Sequence, residues 1–267
     1  TYASGHGVSA CWDLKNGEVS SVFTTFIPTY EILPTNTENS EIPDDVLNPA
    51  SYIDGDYQNQ SEKLIVFIDK YENWINKTKE NVDSLEGEFQ KLALKNIDHC
   101  LACAKRMRET VTFLRSDAEA FNAFNIANET MLLQRMTDYH QKQKAYKTKN
   151  YSNVKFRWRP FQLAFILNSL ESVLNPESKH RDDLDLIWVP TGGGKTEAYL
   201  FAIAAIIAYR RLTRKKGYQG VTVIMRYTLR LLTSQQFERA AKMICALEYI
   251  RKTRGNLGET EVSIGLW

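Results

Sequence analysis

What the 267-residue sequence lacks narrows its class before any motif is read. Its four cysteines, Cys11, Cys100, Cys103 and Cys245, have no regular spacing, which excludes a disulfide framework and suits a reducing cytoplasm. The formal charge is only +2. A uniformly basic coat is therefore excluded, and any contact with nucleic acid must come from local patches. The longest apolar run, around Ala198 to Tyr209, is too short to cross a bilayer and reads as a buried helix. No secretory leader is visible at the start. The chain opens at Thr1 and stops at Trp267 directly after an apolar strand-like segment, so both ends read as cut from a longer protein. Proline does not occur between residues 61 and 150, and Gly87 is the lone glycine there.

That uninterrupted stretch reads as a helical accessory domain, residues 61–150. Leu64, Phe67, Ile68, Tyr71, Trp74 and Ile75 recur at helical spacing, as do Phe89, Leu92, Ile97, Leu101, Ala104, Met107, Val111 and Leu114. A third helical stretch runs from Asp117 to about Lys149. His99, Cys100 and Cys103 have the spacing of partial zinc ligands, but no second cysteine pair closes a site, and the two cysteines fall on the apolar stripe, where they read as core. Residues 1–60 hold β-prone segments at Val8–Trp12 and Val19–Ile27 around Asn16-Gly17, a strong hairpin signal. From Pro34 to Asp56 the composition is that of a loop.

Residues 151–267 carry the chemistry. The stretch WVPTGGGKTE, Trp188 to Glu197, joins an apolar strand-like segment to a strong helix opening. Glycines let backbone N–H groups turn inward, and the helix start adds free N–H groups and the positive end of its dipole. Thr191, Gly192, Gly193, Gly194, Lys195, Thr196 and Glu197 therefore form a phosphate cradle. Lys195 would reach the phosphates, and the Thr196 hydroxyl would ligate Mg²⁺. The full pattern places glycine where Val189 stands, an unusual choice for a small-molecule kinase.

From Leu184 onward the pattern alternates. Strand Leu184–Val189, helix Thr196–Leu212, strand Val221–Met225, helix about Leu231–Arg251 and strand Val262–Leu266 predict an α/β lobe with a parallel sheet. Ligands in such sheets sit at the carboxyl ends of strands, which sends Arg226 and Arg230 to the same edge as the cradle. Arg210 and Arg211 close a helix C-terminus, where the dipole alone accounts for them. Pro160 opens another helix, and Gln162 on its first turn carries an amide able to read an adenine edge. Around residues 142–159 the charge is locally positive, through Lys142, Lys144, Lys147, Lys149, Lys155, Arg157 and Arg159.

Together these segments resemble a superfamily 2 helicase or translocase. Arg159-Pro160-Phe161-Gln162 is similar to the adenine-reading Q motif, and Thr191 to Glu197 to motif I. Arg226 to Gln235 resembles motif Ia, with Leu232 and Gln235 at the usual spacing and Thr228 one residue further off. More narrowly, VPTGGGKTEAYL and MRYTLRLLTSQQFERAA are similar to the helicase-like subunits of the DISARM anti-phage defence system. That match covers about residues 156–267, and the first 150 residues resemble those subunits only loosely. The resemblance implies a partial RecA-like P-loop lobe behind a helical accessory domain and a short β-hairpin region, with ATP and Mg²⁺ as cofactors. It also implies contacts to a nucleic-acid strand through Arg226, Thr228, Arg230 and Gln235, phage DNA as partner, and a second DISARM subunit docking on the motor. Lys195 and Thr196 would carry the catalytic role. No Asp-Glu dipeptide occurs in the chain, so the acidic box that holds Mg²⁺ and orients water is missing, and this piece alone is expected not to turn over ATP usefully. A P-loop NTPase or a nucleotide-regulated DNA-binding scaffold without strand separation is the alternative.

Overall fold

The computed structural model describes residues 2–3, 8–24, 41–53, 55–190, 192–214, 216–227 and 230–266. The expected continuation of the hairpin to Ile27 and the connector up to residue 40 lie outside them.

The chain divides into two units, Thr1–Asn36 and Thr37–Trp267. The first contains strands β1 (Ala10–Lys15) and β2 (Glu18–Thr24), paired antiparallel with Trp12 opposite Val22. Asn16 and Gly17 turn the hairpin at φ 53° and 85°, the left-handed pair that a two-residue hairpin needs. The register shifts between Asp13 and Leu14.

The second unit is built on helices α1 (Asp44–Leu47), α2 (Tyr57–Glu80), α3 (Gly87–Ser116), α4 (Ala118–Leu133), α5 (Tyr139–Thr148), α6 (Pro160–Leu174), α7 (Lys195–Thr213) and α8 (Arg230–Arg254). The third predicted helical stretch is two helices. Asp117 caps α4 by accepting from the backbone N–H groups of Glu119 and Ala120, and Asp138 caps α5 through Gln141 N–H at 2.7 Å. Helix α4 is buried on nearly every side, from Ala120 to Leu133, as expected of a helix apolar all round. It packs on α7, α8 and the 3-10 turn Pro49–Tyr52, while α3 packs on α2 and α6.

Part of the expected Pro34–Asp56 loop is not loop. Val46, Tyr52 and Ile53 enter the core, the Tyr52 hydroxyl donates to Val46 O at 2.6 Å, and Trp158 N–H donates to Leu47 O at 2.8 Å. Of the two α3 cysteines read as core, Cys100 is half-buried and packs against the core, whereas Cys103 is corrected: it is exposed.

The parallel sheet expected of residues 151–267 is not formed among the described residues, where β1–β2 is the one sheet. Residues 184–189, 221–225 and 262–266 carry no ladder pairing. Backbone groups at one end of two of these segments, and just before them, bond to side chains, which leaves them less free to start a ladder. Arg210 donates to Gln219 O and Val221 O, Arg211 to Leu257 O, Thr260 O and Glu261 O, and Arg251 to Gly258 O and Glu259 O. Glu248 accepts from Val262 N–H at 2.9 Å. A cavity of about 720 Å³ lies among α7, α8 and these segments, lined by Ile203, Ile207, Val223, Met243 and Ile264. Residues 184–189 still alternate as a strand would: Asp185, Ile187 and Val189 turn inward, whereas Leu184, Leu186 and Trp188 are 95, 77 and 89% exposed. Arg106 of α3 holds Asp185 through two bonds of 2.6 and 3.0 Å.

Candidate nucleotide site

The loop before α7 needs each of its glycines for a stated reason. Gly192 and Gly194 sit at φ 81° and 91°, a region that disfavours any side chain. Gly193 is required by space: a Cβ there would stand 2.6 Å from Val189 Cγ1 and 2.9 Å from Pro190 O. The bulk of Val189, in the place of the usual first glycine, is matched by the missing side chain of Gly193. Helix α7 then starts at Lys195 with Gly194 as its N-cap, so its first free N–H groups open into the loop.

Two side chains of the α6 start hold this loop from behind. Arg159 Nη1 donates to Gly193 O, and Gln162 Nε2 donates to Gly194 O at 2.7 Å. Gln162 Oε1 accepts from Arg159 N–H at 2.8 Å, closing the capping box of α6. Both ends of the buried Gln162 amide are thus engaged within the protein. Gln162, expected from its sequence position to read an adenine edge, braces the loop through these bonds.

Lys195 folds back, its ammonium donating to Val189 O and to Pro190 O at 3.1 Å. Thr196 is buried, and its hydroxyl donates to Gln236 Oε1 at 3.2 Å while accepting from the Tyr199 hydroxyl at 3.2 Å. Tyr199 also meets Tyr227 at 2.7 Å and Gln236 at 3.0 Å. Burial, and then the bond to Tyr199, push the Tyr227 hydroxyl well above its ordinary pKa. Glu197 accepts from Arg135 Nη2 at 3.0 Å and from Arg239 Nη2, and the Arg135 guanidinium stacks 4.6 Å from the Phe156 ring. Gln236 and Arg239, one turn apart on α8, thereby grip the two residues that follow Lys195.

Of the residues expected to meet a nucleic-acid strand, Arg226 and Gln235 are exposed. Thr191, Thr228 and the Arg230 side chain lie outside the described residues. Spacing did not single out Gln236, Arg239, Arg135, Tyr199 or Tyr227. Gln236 and Arg239 lie just beyond the motif Ia segment, at the helical interval that shares a face, and that was the available signal. Nothing local marks Arg135, 62 residues from its partner.

The glycine loop and the helix it opens fall within residues 160–262, which match the DEAD/DEAH box helicase family, the class that the motifs implied. Along its whole length the chain is 36% identical to the DISARM protein DrmA of Bacillus paralicheniformis. It spans about a quarter of that relative's length, covering 25% of it. The likeness runs through the first 150 residues as well, where motifs alone showed only a loose resemblance. Among the described residues, no helix is long and apolar enough to cross a membrane.

Proposed function

We propose that this chain forms the nucleotide-binding first part of an ATP-dependent DNA helicase or translocase subunit that acts in anti-phage defence. The observation that carries the reading is the three-glycine loop, which opens α7 at Lys195-Thr196 and leaves no room for a Cβ at Gly193. Such a cradle fits phosphate oxygens, and a buried hydroxyl beside it fits a hard cation. Lys195 and the loop N–H groups would hold the phosphates, and Thr196 would hold Mg²⁺; the ion would neutralise phosphate charge when bound. Arg159 and Gln162 keep the loop in shape. Gln236 and Arg239 join the cradle to α8, whose leading segment, with Arg226, Thr228, Arg230 and Gln235, would grip the strand. Residues 184–189, 221–225 and 262–266 would be strands of a RecA-like lobe, with residues 61–150 as its accessory domain. The similarity to a DISARM protein supports DNA and a further DISARM subunit as partners.

The test uses the full-length protein. Its ATP hydrolysis should rise on adding DNA, and Lys195→Ala should take hydrolysis to background without lowering the melting temperature. Hydrolysis indifferent to DNA would favour a P-loop NTPase or scaffold instead, and hydrolysis that survives Lys195→Ala would overturn the site.

A further inference from the structure

The side of α8 that carries Arg239 continues as a basic and aromatic band onto α5, away from every motif considered above. Arg135 and Arg239 converge on the Glu197 carboxylate, two positive charges against one negative. Lys242, exposed, stands one turn further along α8, and Tyr249, seven residues on, shares its face. Tyr249 meets Tyr139 and Tyr146 of α5 edge-on, with ring centroids at 6.3 and 5.4 Å. Tyr139 remains 61% exposed at the helix start. Beyond it, His140, Lys144 and Lys147 form an exposed i, i+4, i+7 stripe.

The charge balance of the band is one-sided. Helix α5 has no acidic residue, and Asp138 before it is engaged in capping. Glu238 is the one carboxylate in the first half of α8. Lys149 is not counted, because buried Glu129 holds it at 2.6 Å.

We propose that this α8–α5 band is a second contact for single-stranded nucleic acid. Phosphates run along Lys242, Lys144 and Lys147, and a base stacks on Tyr139. An open aromatic ring among lysines that have no ion pair among the described residues suits a strand that offers both anionic backbone and flat bases, whereas an acidic protein surface would use the charge alone. The inference rests on the nucleic-acid reading above and places an element of the helical accessory region on the strand's path.

The experiment follows binding of a fluorescein-labelled oligothymidylate to the full-length protein by anisotropy across a salt series. With Lys144→Ala and Lys147→Ala combined, the slope of log affinity against log salt should become shallower by about 1.4, two phosphates' worth for a single strand. Tyr139→Ala should cost roughly tenfold in affinity with the slope unchanged. Lys77→Ala with Lys79→Ala, on α2, should change neither. These side chains are exposed, and unchanged melting temperatures would confirm that each variant folds. If the wild type binds but the α5 double variant keeps the full slope, this inference fails and the nucleic-acid reading stands. If the wild type does not bind the oligonucleotide, both fail. Competition by polyglutamate as effective as that by oligonucleotide would overturn the strand assignment in favour of an acidic protein partner.

Discussion

Helix α7 is held by different means on its two flanks. Toward α4 the contact is apolar and aromatic. Phe201 meets Phe124 and Trp158 edge-on at 5.4 and 5.5 Å, and Ala204, Ala205 and Ala208 are fully buried. Toward residues 217–222 and 257–262 polar bonds join the apolar packing of Leu257 and Val262: Arg210 and Arg211 of α7 reach backbone carbonyls, and from neighbouring α8 Arg251 does the same while Glu248 receives one N–H. The first kind of contact depends on volume and shape, the second on charge and hydrogen-bond direction. The two flanks should therefore respond to different insults.

Phe201→Ala strikes the apolar flank and should have the largest effect. An aromatic side chain removed from a packed core costs about 3–5 kcal/mol, which a denaturation midpoint would register as a large fall. A loss below about 1 kcal/mol would mean that the α4–α7 contact is not the stronger of the two.

On the polar flank the sensitive variable is pH. The Arg251 guanidinium beside Glu248, aided by Val262 N–H, holds its carboxyl pKa at about 2, below the ordinary 4.5. A depressed carboxylate pKa stabilises the fold above the unfolded value, and that contribution is lost as pH falls from 4.5 toward 2. Glu248→Gln should therefore cost about 1 kcal/mol at neutral pH. Its gap from the wild type should narrow through that acid window, as urea titrations at several pH values would show. A gap that does not change with pH would place the charge of Glu248 outside the stability of this flank.

Leu186→Ser should have the smallest effect, within about 0.5 kcal/mol, because its side chain is 77% exposed. A larger loss by thermal denaturation would show that this face is covered in solution and would erase the contrast between the flanks.

The features legible from sequence were those set by a few neighbouring residues. Asn16-Gly17 demands a tight turn, which appears where expected, and the glycine run before Lys195-Thr196 demands a loop with positive φ, found at Gly192 and Gly194 where α7 opens. Helical patterning found α2, α3, α6, α7 and α8, although Trp74 of the α2 stripe and Phe89, Leu92 and Leu101 of the α3 stripe are exposed rather than core. It did not divide α4 from α5, because α4 is buried all round and leaves little periodic contrast. Nor did it reveal that Tyr52 and Ile53 leave a loop-like stretch to join the core. The candidate site was half legible. Lys195 and Thr196 could be singled out as candidates from spacing, but the meeting of Arg135 and Arg239 on Glu197 joins positions 62 and 42 residues away and depends on packing rather than on pattern. The three apolar segments read as strands because of their composition and alternation, which say nothing of whether neighbouring segments pair, and no ladder joins them among the described residues.

Trp158 offers a way to watch all this. Its indole is 1% exposed, set edge-on between Phe156 and Phe201, with its N–H donated to Asn128 Oδ1 at 3.0 Å. Trp74 and Trp188, by contrast, stand 51 and 89% exposed. Among the described residues Trp158 is the one buried indole; with iodide in solution the exposed indoles are quenched, half-buried Trp12 in part, and Trp158 keeps emitting in the blue. The junction between the helical block and the P-loop helix thus carries its own optical gauge, and a red shift of that residual emission would report, without any label, the moment at which α4 and α7 part.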